Sequence, residues 1–251
     1  MIWGERIMLY RKLTSFAAAL FLAFAATVAT PAADSTDKRN NSQQNARVLE
    51  PLNLAILIQD DLSSQVSNEL GVTRDFIRSL PSGSRVMVGY ITSGSLQVRQ
   101  QFTTDLDKAA GSLRIPFSSE AASPYNPYVE VIEALRHFNG LKGRNAVLLI
   151  SDGLDTSRGF DATSSGNTID LRRAIDHANK QNVAVYTFYA PSVGLTSRSR
   201  IAASYGQNSL SRFANDTGGK AFFQGTTGFV TFDSYFQRLR KTLNEQEPFA
   251  S

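Results

Sequence analysis

Three uninterrupted apolar runs set the strongest limit on how this chain can fold: "LAILI" at 54–58, "AVLLI" at 146–150 and "VAVYTFYA" at 183–190. A strand with one face in water alternates apolar and polar residues, whereas a strand covered on both faces is apolar throughout. Helical patterns separate the runs. "SSQVSNELGVTRDFIRSL" carries Val66, Leu70, Val72 or Thr73, Phe76, Ile77 and Leu80 at the spacing of one helix face. "YVEVIEALRHFN" places Val129, Ile132, Leu135 and Phe138 along one side, and "TIDLRRAIDHANKQN" is a further helix. Buried strands alternating with helices imply an α/β, Rossmann-like doubly wound fold, with a mostly parallel sheet and helices on both faces. "SRVMVGYITSG" and "SLQVRQQF" meet at Ser93-Gly94-Ser95, the pattern of a hairpin, which adds one antiparallel edge strand. Asp105 is placed to cap a short helix. The segment 191–209 reads as a long irregular loop and hence as a candidate contact surface, followed by a helix, a turn at Gly218-Gly219, a short strand and a terminal helix.

The start of the chain follows other rules. "RKLTSFAAALFLAFAATVATPAADS" has a basic beginning, an apolar stretch from Phe16 to Val28 and small residues after it, the pattern of a secretory signal peptide over residues 1–32. The other reading is a retained anchor, against which the apolar run is short of the ~20 residues a spanning helix needs. Residues 33–48 hold almost nothing apolar and read as a flexible linker. The expected domain then spans 49–246, with a short tail at 247–251 and no membrane span after leader removal. Loss of the leader takes away Arg6, Arg11, Lys12 and Glu5, leaving 23 basic against 21 acidic residues. So balanced a charge, without a basic run, argues against a nucleic-acid partner. There are no cysteines, so thiol catalysis and thiolate metal sites are excluded and any metal would need oxygen or histidine ligands.

In a doubly wound sheet, ligands bind beyond the carboxyl ends of the strands. Two of those ends carry acids here. The first apolar run breaks into Gln59, Asp60, Asp61, Leu62, Ser63 and Ser64, and the second ends at Asp152. If the two strands are neighbours, these acids share a cleft.

"AVLLISDGLD" resembles the fourth-strand signature of von Willebrand factor type A (VWA) domains, and "VAVYTFYA" and "TGGKAFF" follow in that family's order. The resemblance covers roughly 50–246 and extends to the bacterial exported VWFA-related proteins. It implies a binding module and, in many members, a metal-ion-dependent adhesion site. That site comprises an Asp-x-Ser-x-Ser loop after the first strand, a Thr from a second loop and an Asp after the fourth strand, supplying oxygens to a hard cation. In this chain the loop positions fall on Gln59, Asp61 and Ser63 or, shifted by one, on Asp60, Leu62 and Ser64. The threonine position offers Pro124, Tyr125, Asn126 and Pro127, and Asp152 matches directly. The resemblance therefore implies a degenerate site in which Asp61, Ser63 and Asp152 hold Mg2+ or Ca2+ weakly. Asp60 and Ser64 form the alternative register. The competing reading has no ion, with Ser63 or Ser64 capping the next helix.

Tyr125 and Tyr128 are either an exposed ledge for a partner or part of a rigid loop packing its own rings. His137 and His177 lie in helices, away from the acids, and Asp155 reads as a loop turn. The expected function is a secreted or periplasmic binding module, docking a protein or cell-envelope component without chemistry. The alternative is a Mg2+-dependent phosphoryl-transfer hydrolase using the same acids. Against that alternative, neither strand exit has a nearby Lys for the phosphate and no glycine-rich phosphate loop follows the first strand.

Overall fold

The computed structural model describes residues 50–118, 125–160, 168–225 and 230–245. The expected leader, linker and terminal tail lie outside these residues, as does Pro124. In chain order the elements are β1 (Leu52–Gln59), α1 (Gln65–Arg78), β2 (Arg85–Thr92), β3 (Ser95–Thr103), α2 (Leu106–Gly111) and α3 (Pro127–Leu135), with a 3-10 turn at Arg136–Phe138. There follow β4 (Arg144–Ser151), α4 (Ile169–Lys180), β5 (Val183–Tyr189), α5 (Leu195–Arg198), α6 (Arg200–Asp216), β6 (Ala221–Phe222) and α7 (Asp233–Glu245).

The six strands form one sheet in the order β3-β2-β1-β4-β5-β6. β1 pairs in parallel with both β2 and β4, the parallel run continues through β5 to β6, and β3 alone runs antiparallel, at the edge. The order reverses between β1 and β4, so the chain leaves these two adjacent strands toward opposite edges and opens a crevice above them.

Alternate residues of each apolar strand feed two separate cores. Leu54, Ile56 and Ile58 of β1 join Leu148, Ile150, Tyr186 and Phe188 under α1 and α7. Ala55 and Leu57 join Val147, Leu149 and Val185 under α3, α4 and α6. Phe188 anchors the first core, with the rings of Phe222, Phe232, Tyr235 and Phe236 all centred 4.9–5.4 Å from it. The turn between β2 and β3 holds Gly94 at a φ of 73°, where glycine bears no steric penalty. Asp105 caps α2 by accepting from the Lys108 N–H at 2.9 Å.

Two expectations are corrected. The buried face of α3 is formed by Tyr128, Val131, Ala134 and Leu135, while Val129 is 42% exposed. The helix begins at Pro127 with Asn126 as its cap, and this phase turns Tyr128 inward, where its hydroxyl finds the Gly153 carbonyl at 2.6 Å. A buried phenol with a hydrogen-bond partner is as good a core residue as a valine. Second, within 191–209 the chain is helical over 195–198 and again from 200 onward, with Ser199 extended between the two helices. The first half of the inner face of α6 is built from Ala202, Ala203 and Gly206, residues too small to register as an apolar stripe, and only further along do Leu210 and Phe213 enter the core.

Candidate docking cleft at the carboxyl ends of β1 and β4

Gln59 is the last residue of β1 and lies 1% exposed beside the end of β4. Beyond it, side chains alternate between two directions. Asp60 turns toward β2, its N–H donating to the Ile91 carbonyl at 2.9 Å. Both of its carboxylate oxygens accept from Arg114, at 2.6 and 2.8 Å, and one also accepts from the Phe117 N–H at 3.1 Å. The Arg114 guanidinium is sandwiched over the rings of Tyr90 and Phe117, at 4.0 and 4.3 Å. Tyr90 fixes the main chain of the same residue, donating to its carbonyl at 2.6 Å and accepting from its N–H at 2.8 Å. Asp60, 2% exposed, is therefore a structural anchor for the segment after α2.

Gln59 and Asp61 face the other way, toward β4. The Gln59 Nε2 donates to Asp61 Oδ1 at 2.7 Å and to Asp152 Oδ1 at 3.3 Å. Its Oε1 accepts from the Ser151 hydroxyl at 2.5 Å and from the Asp152 N–H at 3.3 Å. Asp152, 3% exposed, also accepts from the Leu154 N–H at 3.0 Å and, through Oδ2, from Thr196 Oγ1 at 3.2 Å. Thr196 in turn accepts from the Ser192 N–H at 2.8 Å. Burial, reinforced by the neighbouring Asp152 charge, pushes the Asp61 carboxyl up from 3.8 to about 7. Burial likewise raises Asp152, although hydrogen bonds to its charged form oppose the shift. The two acids share a cavity of about 170 Å³, whose walls include Tyr125, Thr156 and Leu195.

The segment after β5 ties the cleft together. Ser63 N–H donates to the Pro191 carbonyl and Val193 N–H to the Asp61 carbonyl, both at 2.9 Å, with a bridge between Leu62 and Ser192. From below, α6 touches the β4 exit so closely that a Cβ at Gly206 would lie 1.9 Å from the Asp152 carbonyl oxygen, and one at Gly153 2.4 Å from the Gly206 carbonyl oxygen. Only glycine permits that approach.

The structure thus brings Asp61 and Asp152 together as the sequence suggested, with Gln59 between them. It does not bring in the alternative register, because Asp60 is held by Arg114 and Ser64 is an exposed helix-cap residue. Nor does either serine cap α1: Ser64 occupies the cap position in a helical conformation without a side-chain bond, and the Ser63 hydroxyl is buried with no hydrogen-bond partner. The exposed tyrosine ledge is absent, since Tyr125 and Tyr128 are 2% and 0% exposed. Tyr125 is drawn in by Thr156, whose N–H donates to the Tyr125 carbonyl and whose Oγ1 accepts from the Tyr125 N–H, and Tyr128 by the Gly153 carbonyl. Asp155 forms the expected turn, accepting from the N–H of Ser157 at 3.0 Å. His137 lies in the 3-10 turn after α3 and His177 in the last turn of α4, and neither lines the cleft.

Sequence reasoning missed Arg114, Thr196 and the Gly153–Gly206 contact. Arg114 follows a short helix in "GSLRIPF" with no local sign of its role. Among the described residues, no three His, Asp or Glu side chains gather as metal ligands, and no helix is long and apolar enough to cross a membrane.

Solved structures share the fold. An aerotolerance-related membrane protein from Bacteroides fragilis NCTC 9343 superposes with a TM-score of 0.53 at 12% identity, over 78% of this chain and 100% of its own. BatB from Bacteroides thetaiotaomicron gives 0.52 at 13% identity, over the same shares of each chain. A von Willebrand factor type A protein from Catenulispora acidiphila gives 0.52 at 16% identity, over 78% of this chain and 44% of its own. No family profile matches the sequence, and no curated protein matches it. The fold is therefore that of a VWA domain. In this chain the first strand of that fold closes on a glutamine.

Proposed function

We propose that this chain is a secreted or periplasmic binding module that docks a protein or cell-envelope component on the face above β1 and β4, through a degenerate adhesion site. The observation that carries the reading is the convergence of Asp61 and Asp152 on one cavity at the switch point of a VWA-like sheet, the place where this architecture binds. The fold supports a protein-interaction role in general, and the leader-like start supports export. The phosphoryl-transfer alternative gains no support from the cleft. Arg114, a cation at this end of the sheet, has both terminal nitrogens engaged by Asp60.

The test is capture of a partner from the organism's own envelope fraction by the tagged full chain, compared across variants. Leu195→Asp at the cavity rim is expected to abolish retention of the captured component, while Lys180→Glu, at the opposite end of the sheet, leaves it unchanged. Equal retention by all three chains would move the docking surface elsewhere.

A further inference from the structure

We infer that the side-chain amide of Gln59 stands where a VWA adhesion site places its cation, so that this face is assembled without a divalent ion. The inference rests on the docking reading for its significance, but its chemistry stands on the cleft alone.

The orientation of the amide follows from its neighbours. One end faces the Asp152 N–H, which can only donate and so requires the amide oxygen, and the other lies between Asp61 Oδ1 and Asp152 Oδ1. Oxygen must therefore point to the main chain and nitrogen to the acids. A half-turn of the amide would set donor against donor at Asp152 and oxygen against oxygen at Asp61. The Nε2 hydrogens consequently occupy the space between Asp61 Oδ1 and Asp152 Oδ1, the two oxygens a cation would draw together. A positively polarised N–H pair and a metal ion cannot both hold that point.

The remaining donors also fall short. Mg2+ and Ca2+ need about six to eight oxygens, and solvent fills what the protein leaves open. Here Asp60 is committed to Arg114, and Asp152 Oδ2 already accepts from Thr196. Ser63 argues the other way, because its buried hydroxyl without a hydrogen-bond partner is a group that a cation would satisfy. One hydroxyl does not outweigh two donors aimed at the site from a side chain that is itself 1% exposed and bonded at both ends.

The experiment is calorimetric titration and thermal melting of the purified full chain with MgCl2, CaCl2 and MnCl2 to about 10 mM, roughly tenfold above the dissociation constant of the weakest extracellular calcium sites. NaCl of equal ionic strength serves as the control. The wild type is expected to show no saturable heat and no higher Tm than it has in NaCl. Gln59→Asp, which removes the donors and restores a leading carboxylate, is expected to gain both. If circular dichroism shows that this variant does not fold, Gln59→Glu takes its place. Saturable binding by the wild type overturns the inference, as does a folded carboxylate variant that binds no more than wild type. Either result leaves partner capture untouched, whereas failure of the capture test leaves the cation result standing.

Discussion

Asp60 and Asp61 are adjacent residues of one type yet have different fates, and the difference lies in what each faces. Asp60 meets a guanidinium in a two-pronged bond between aromatic rings. Removing Arg114 would leave that carboxylate buried without its partner, and breaking such pairs is strongly destabilising. Arg114→Leu is expected to lower unfolding free energy by about 3 kcal/mol in urea denaturation, with Asp60→Asn, Arg114→Leu together losing less than the sum of the single changes. Asp61 responds to pH. Its carboxyl titrates near 7 in the folded chain against 3.8 ordinarily, so between these values the folded state keeps a proton that the unfolded state releases. Stability contributed by this group is present at low pH and declines as pH rises through that window. A series of thermal melts should show the decline, and Asp61→Asn should give a flatter profile than wild type. The acids and their crevice were legible from two strand ends alone. Their division of labour was not, because it depends on Arg114, which lies 54 positions from Asp60 and is brought to it only by the tertiary fold.

At the scale of elements, legibility followed the strength of the apolar signal. β1, β4 and β5 declared themselves because both of their faces are buried, and β2 and β3 through their glycine turn. The first half of α6 was obscured for a physical reason: it packs so closely on the β4 exit that its contact residues there are Ala202, Ala203 and Gly206, which leave no hydrophobic stripe to read. The same closeness makes Gly206 sensitive. Gly206→Ala would drive a methyl group into the Asp152 carbonyl, and is expected to destabilise by about 2 kcal/mol and to shift near-ultraviolet circular dichroism from the neighbouring tyrosines. Gly71 is the contrasting case, an exposed glycine inside α1 with nothing within 4 Å of a built Cβ. Gly71→Ala should stabilise by about 0.5–1 kcal/mol in the same denaturation assay. α3 shows the limit of periodicity, since a polar tip turned Tyr128 into a core residue and displaced Val129 to the surface.

For the molecule as a whole, the sheet divides one hydrophobic interior into two. Phe236 lies in the core under α1 and α7, and Leu171 in the core under α3, α4 and α6. Substitutions on opposite sides of a sheet share no packing partners, so Phe236→Leu and Leu171→Ala are expected to lower stability additively, to within about 0.5 kcal/mol, in urea denaturation of the single and double variants. The overall α/β plan was readable from sequence because parallel pairing demands helices on both faces. The strand-end cleft was only half readable, since alternation places side chains on one side or the other but does not say what waits there. The glutamine closing β1 has a further consequence. A mineral ligand comes and goes with the surroundings, and chelators or ion-poor water can strip it away. An amide built into the polypeptide arrives the moment β1 and β4 zip together, one per molecule, so on the inference drawn above readiness of this surface is inherited from folding and independent of dissolved divalent ions.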